Sequence, residues 1–250
     1  MLFKKKAHSA DKIDALRLVD DTTPFAVNEA FRSLYTKVLY LPITDKCRKI
    51  AISSAISGEG KTYISINLAI TLAKNSDNKK ILLIDLDMRK PRVLKILSKY
   101  YKSSQTRSGL SEYLAGIDNS PNIVNTDIPN FSILFSGKET SNAIGLLNSK
   151  RMDVLLDELS EKYDYIIFDT PPVSVVSDSL VLADKIHGYI LATRAEYSNI
   201  NNLSDAIEAI QNVNGQVFGT VITAVNPKST GESKNYYRNS NYYTSDKENN

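Results

Sequence analysis

The rhythm of apolar and polar positions divides the chain into three stretches. Residues 1–23 are charged and polar with scattered Leu and Ile and no sustained period, which predicts a mobile N-terminal arm. After Pro24, Val27, Phe31, Leu34 and Val38 recur at three- and four-residue intervals, predicting a helix with Asn28 as its N-cap. From Lys49 the pattern becomes an alternation. A β-branched run over 49–55 predicts a strand, and a small-residue loop leads from it into a helix over about 61–75, with Ile64, Leu68, Ile70 and Leu72 on the buried side. Ile81–Ile84 is apolar at every position and too short for a helix, which suits a strand buried on both faces of a parallel sheet. Pro91 fits the first turn of a helix over 91 to about 98. There follow a short helix over 109–116 ended by Gly116, a strand over 131–137, a long amphipathic helix over about 145–162 and a strand in YDYIIFDTPP. A helix near 178–184, a strand over 188–194, a helix over 199–213 and a last strand over 217–225 complete the series. Strands and helices alternating at this length specify an α/β fold with a doubly wound, mostly parallel sheet, whose ligands bind beyond the carboxyl ends of the strands.

Beyond Pro227 the apolar positions stop. Residues 228–250 contain no Val, Ile, Leu, Met or Phe, so they cannot bury enough surface to offset their ordering entropy, and a disordered tail is predicted. That tail nevertheless carries Tyr236, Tyr237, Tyr242 and Tyr243, two adjacent pairs with no core to serve. They are candidate phosphoacceptors.

Composition narrows the class further. At 250 residues and 42% apolar the chain supports one substantial domain, taken here as 24–227 between the arm and the tail. A net charge of +3 leaves no strongly basic footprint for nucleic acid. The cluster Lys4, Lys5 and Lys6 adds weak attraction to an anionic membrane face, at about 1 kcal/mol per residue close to the surface. Cys47 is the single cysteine, which excludes an intrachain disulfide, a Cys-only metal cage and a bridging iron–sulfur cluster, and fits a reducing cytoplasm. No apolar run reaches the roughly 20 residues needed to cross a bilayer, so a soluble, cytoplasmic protein is expected.

The stretch KIAISSAISGEGKT, 49–62, carries the chemistry. Gly58 and Gly60 allow the backbone to approach an anion, and successive N–H groups at a helix N-terminus attract it. Ser57, Gly58, Glu59, Gly60, Lys61, Thr62 and Tyr63 are therefore the candidate nucleotide-binding residues, with Lys61 reaching the β- and γ-phosphates and the Thr62 hydroxyl ligating Mg²⁺. The motif ends in G-K-T, with Ala55 where the first glycine usually stands. Carboxylates at the ends of neighbouring strands complete an ATP-Mg²⁺ site: Asp169 ends YIIFD as a Walker-B aspartate, and Asp85 and Asp87 end ILLIDLD. One of the latter pair assists the metal and the other accepts a proton from the nucleophile.

Together the loop, ILLIDLDMR, IIFDTPP, GLSEYLAG and LLNSKRMDVLLDELSEKYDYIIFDTPPV resemble the bacterial tyrosine kinases of capsule and exopolysaccharide synthesis, over roughly 24–225 and the tail. The resemblance implies a P-loop autokinase that uses ATP and Mg²⁺. Lys61, Asp85 and Asp87 would be catalytic, Thr62, Asp85, Asp87 and Asp169 would serve the metal, and the tail tyrosines would accept phosphate from a neighbouring subunit. It implies a ring in which a helix motif E-x-x-R-x-x-R makes contacts; Glu29 and Arg32 match, whereas Tyr35 replaces the last arginine. It also implies a transmembrane polysaccharide adaptor whose cytoplasmic tail activates the kinase and recruits it to the inner face of the plasma membrane, and a cognate phosphotyrosine phosphatase. The alternative, a ParA/MinD-like ATPase switch binding membrane or DNA, resembles K-G-G-x-G-K-[ST] at the loop. Ile56 occupies the place of its extra lysine, and D-x-D-x-R at Asp85, Asp87 and Arg89 and the tyrosine tail also count against it.

Overall fold

The computed structural model describes residues 18–20, 22–97 and 108–225. The tail and its four tyrosines lie outside the described residues, as does most of the N-terminal arm. The described end of that arm is packed: Leu18 is buried in the core, and the Val19 N–H donates to Asn67 Oδ1 at 2.7 Å.

Seven strands form the frame: β1 (Arg48–Ser54), β2 (Ile81–Asp85), β3 (Ile123–Asn125), β4 (Phe131–Leu134), β5 (Tyr165–Asp169), β6 (Gly188–Arg194) and β7 (Val217–Thr223). The helices are α1 (Phe25–Leu39), α2 (Lys61–Asn75), α3 (Val93–Leu97), α4 (Leu110–Leu114), α5 (Ala143–Leu147), α6 (Lys150–Lys162) and α7 (Ile200–Asn212), with a 3-10 helix at Ser177–Leu182. Among the described residues the sheet order is β3-β4-β2-β5-β1-β6-β7, parallel throughout except for the β3–β4 edge. The doubly wound, mostly parallel α/β expectation therefore holds.

Side chains alternate across each strand, which explains why the strand sequences are continuously apolar. Ile81, Leu83, Tyr165, Ile167 and Ile190 face one core with α1, α2 and α3. Leu82, Ile84, Ile166, Phe168 and Leu191 face the other, with α4, α5, α6 and α7. Helix α2 is buried on more than the one side its pattern suggests, since every residue from Ile64 to Leu72 is buried between the sheet and the surrounding elements.

Several local expectations need correction. Helix α1 starts at Phe25 with Pro24 at its N-cap, so Asn28 lies inside the first turn, where its Nδ2 donates to the Thr23 carbonyl at 3.0 Å. Pro91 precedes α3 instead of lying in it. The single long helix of 145–162 is two, α5 and α6, because Ser149 caps a new start: its Oγ accepts from the Met152 N–H. The helix near 178–184 is the 3-10 helix. Strand β3, three residues long and only partly covered, is too short to show a period.

Candidate active site

Strand order brings the site together. β5 lies between β2 and β1, with Asp85 in register with Asp169 and Ile52 of β1 in register with Asp169 on the other side. The loop that leaves β1 therefore opens beside both carboxylates, at the edge where a doubly wound sheet binds ligands. Gly58 and Gly60 take φ values of +89° and +94°, which a side chain disfavours, and Gly60 hands the chain directly into α2. Glu59 is buried, and its Oε2 accepts the Ile56 N–H at 2.8 Å, closing the loop on itself.

Lys61 Nζ stands among the acids, 3.1 Å from Asp87 Oδ2 and 3.7 Å from Asp169 Oδ1. Burial alone would depress its pKa, but Asp169, Asp87 and Asp85 outweigh that and hold it above the ordinary lysine value. Burial, with Asp169 and Asp87 adding to it against Lys61, pushes Asp85 well above the usual carboxylate range. Asp169 is also raised, chiefly by burial, against the pull of Lys61. Asp85 Oδ1 accepts the Asp87 N–H at 3.1 Å and its Oδ2 the Val93 N–H at 3.3 Å, while Asp87 Oδ1 accepts the Lys90 N–H at 3.0 Å.

The residues present fit a metal-bound nucleotide. Asp169 Oδ2 is buried without a hydrogen-bond partner, although its companion Oδ1 lies 3.1 Å from Ser65 Oγ. An orphaned carboxylate oxygen costs free energy unless something supplies a partner. Among the described residues no group of three or more His, Cys, Asp or Glu forms a metal cage. Mg²⁺ does not need one, because it keeps several waters and takes one or two carboxylates plus substrate phosphates.

Lys61, Thr62, Asp85, Asp87 and Asp169 thus converge, with Ser57, Gly58, Glu59 and Gly60 in the adjoining loop. Tyr63 turns its ring elsewhere, edge-on to Phe31 of α1 with centroids 5.7 Å apart. Glu29 and Arg32 form an exposed pair on α1 at 3.9 Å, outside this cluster. Two residues escaped the motif reading. Ser65 follows Lys61 by one helical turn, a spacing that could have revealed it. Asp178, fully buried, grips Arg89 through Nε to Oδ2 at 2.6 Å and Nη2 to Oδ1 at 3.0 Å, and no sequence signal joins positions so far apart.

Comparison with known proteins agrees with this geometry. The AAA domain family model matches residues 47–221. Tyrosine-protein kinase CpsD of Streptococcus agalactiae serotype III is 32% identical over 199 residues, 79% of this chain and 82% of the relative. Tyrosine-protein kinase ptk of Acinetobacter johnsonii is 30% identical over 81% of this chain but 27% of its own length, so this chain spans about a quarter of that relative. Among solved structures, the kinase domain of Escherichia coli tyrosine kinase ETK matches with a TM-score of 0.71 and 26% identity, covering 85% of this chain and 86% of that one. The Pyrococcus furiosus cell division ATPase MinD shares the fold at a TM-score of 0.56 and 22% identity, over 70% of this chain and 71% of that one. Among the described residues no helix is long and apolar enough to cross a membrane.

Proposed function

Because the chain belongs to the family of bacterial tyrosine kinases found in capsule and exopolysaccharide systems, we propose that it transfers the γ-phosphoryl group of ATP to Tyr236, Tyr237, Tyr242 and Tyr243 of its own tail. The observation that carries this reading is Lys61, held between Asp87 and Asp169 at the head of α2 beside the phosphate loop. In the reaction the phenolic oxygen bonds to the γ-phosphorus and the bond from that phosphorus to the β–γ bridging oxygen breaks. ADP leaves with the electron pair, and the phenolic proton passes to a carboxylate of the Asp85–Asp87 pair. Lys61 binds the phosphate oxygens and offsets the charge that spreads over them. Thr62, Asp85, Asp87 and Asp169 are the residues that would hold Mg²⁺, directly or through water, and the ion would supply neutralisation of phosphate charge.

The same reading extends to assembly. Glu29 and Arg32 contribute to a ring of subunits in which one tail enters the next site, and each phosphotyrosine adds about −1.5 to −2 charge, enough to loosen that docking. A transmembrane polysaccharide adaptor stimulates the kinase at the inner membrane face, and a phosphotyrosine phosphatase reverses it. Exposed placement of Glu29 and Arg32 supports the contact.

Replacing all four tail tyrosines with Phe tests the acceptor assignment. Autophosphorylation with labelled ATP is expected to fall to a small residue while ATP affinity, measured by calorimetry, stays unchanged. Lys61→Met is expected to reduce labelling by about 10²-fold or more. Full labelling of the tail variant would move the acceptors elsewhere, and full labelling of the Lys61 variant would contradict the site.

A further inference from the structure

Three consecutive carbonyls of the phosphate loop are each held by a side chain from outside it. Tyr197 donates its hydroxyl to the Ser57 carbonyl at 3.1 Å, Arg194 its Nη1 to the Gly58 carbonyl at 3.4 Å, and Thr223 its Oγ1 to the Glu59 carbonyl at 2.7 Å. All three donors come from the sheet edge beyond β1: Arg194 ends β6, Tyr197 lies in the turn before α7, and Thr223 ends β7. The donors are themselves fixed. The Arg194 guanidinium lies 5.3 Å from the centre of the Tyr197 ring, and the Arg194 N–H donates to Ser198 Oγ at 2.8 Å. Ser198 in turn donates to the buried Glu59 carboxylate. Glu196, at φ +58°, takes the left-handed conformation that reverses the chain between Arg194 and Tyr197.

Peptide planarity turns these contacts into a statement about the ligand. In a trans peptide the C=O of one residue and the N–H of the next point in opposite directions across one rigid plane. Drawing the carbonyls of Ser57, Gly58 and Glu59 toward the β6–β7 edge therefore turns the N–H groups of Gly58, Glu59 and Gly60 the other way. Among the described residues none of these three N–H groups has an acceptor. A row of aligned N–H groups with no internal acceptor is an anion cradle, and here its alignment is imposed from behind.

We propose that Tyr197, Arg194 and Thr223 are positioning residues that brace the phosphate loop and set its affinity for the polyphosphate of the nucleotide, without touching the nucleotide themselves. This rests on the nucleotide-binding reading of the site. It assigns the three side chains to the phosphates and not to the base.

The full-length protein with Mg²⁺ is titrated by calorimetry with three probes: inorganic tripolyphosphate, ADP and adenosine. Tyr197→Phe removes only the donor oxygen, and Thr223→Val removes the hydroxyl at constant shape. Each is expected to weaken tripolyphosphate and ADP by the same factor, about five- to tenfold, as the loss of one aligning hydrogen bond implies. Adenosine binding stays unchanged, and Thr223→Ser, which keeps the donor, restores affinity. In autophosphorylation the loss appears in KM for ATP more than in kcat. Equal weakening of adenosine would place the side chains on the base and overturn the proposal, as would unchanged affinity for all probes or failure of Thr223→Ser to restore it. A wild-type chain that binds neither tripolyphosphate nor ADP would overturn the brace together with the nucleotide reading. Binding with the expected pattern but no phosphoryl transfer would overturn the kinase reading alone and leave the brace standing.

Discussion

Asp85 shows how one residue serves two demands that conflict. Its oxygens accept the backbone N–H groups of Asp87 and Val93 and so shape the loop that carries Asp87 to Lys61. Yet burial, with Asp169 beside it, pushes its pKa well above the usual range. An unfolded aspartate titrates at about 3.9. Above that value, and up to the raised folded pKa, the folded chain binds more protons than the unfolded one at this position. Stability then falls as pH rises through the window, and the cost is complete above the folded pKa. Asp85→Asn removes this contribution, so wild type is expected to lose stability relative to the variant as pH climbs from about 4 toward neutrality, followed by denaturant unfolding at each pH. A difference between the two proteins that does not change with pH would contradict the electrostatic account of Asp85. Of the site at this scale, Lys61, Thr62, Asp85, Asp87 and Asp169 were legible because each stands at a fixed offset from a strand end. Asp178 and the Tyr197 turn were not, since they meet the site across 89 and 140 positions of sequence.

Among the elements, the region from 143 to 162 is the most instructive. The apolar spacing runs on from α5 into α6, so periodicity alone reads one helix, but the backbone breaks at Asn148 and Ser149. Ser149 stabilises the break twice, accepting from the Met152 N–H at 3.3 Å and donating to the Leu146 carbonyl at 2.7 Å. Helix α6 can then turn Met152, Leu155, Leu156 and Leu159 onto the sheet. Ser149→Ala should cost about 1 kcal/mol, or roughly 2–4 °C in thermal midpoint for a chain of this size, while an unchanged midpoint would mean the cap is not what starts α6. The stretch GLSEYLAG has a comparable local cause. Burial would raise Glu112, but bonds from the Gly109 N–H, the Ser111 hydroxyl and the Lys138 N–H hold it below the usual value and tie α4 to the end of β4. The short helix expected over 109–116 is α4, whereas the Ser149 cap lies inside a continuous apolar period and so was hidden by it, and β3, three residues long, was missed.

For the whole molecule, the doubly wound architecture was legible because a strand buried on both faces has no polar position to spare, as ILLID and YIIFD display. Strand order was not, because it is fixed by which faces the helices cover. That order matters for the proposed function: placing β5 between β1 and β2 sets Asp169 beside both the loop that leaves β1 and the Asp85–Asp87 pair. The central claim is that this assembly is a phosphoryl donor to the chain's own tail tyrosines. Its most direct test is phosphosite mapping after incubation of the purified protein with Mg²⁺ and labelled ATP, with and without the cytoplasmic segment of the membrane adaptor. The expected result is phosphate on Tyr236, Tyr237, Tyr242 and Tyr243, increased by the adaptor segment. Phosphate on serine alone, or none at all with Lys61 intact and the adaptor present, would contradict it.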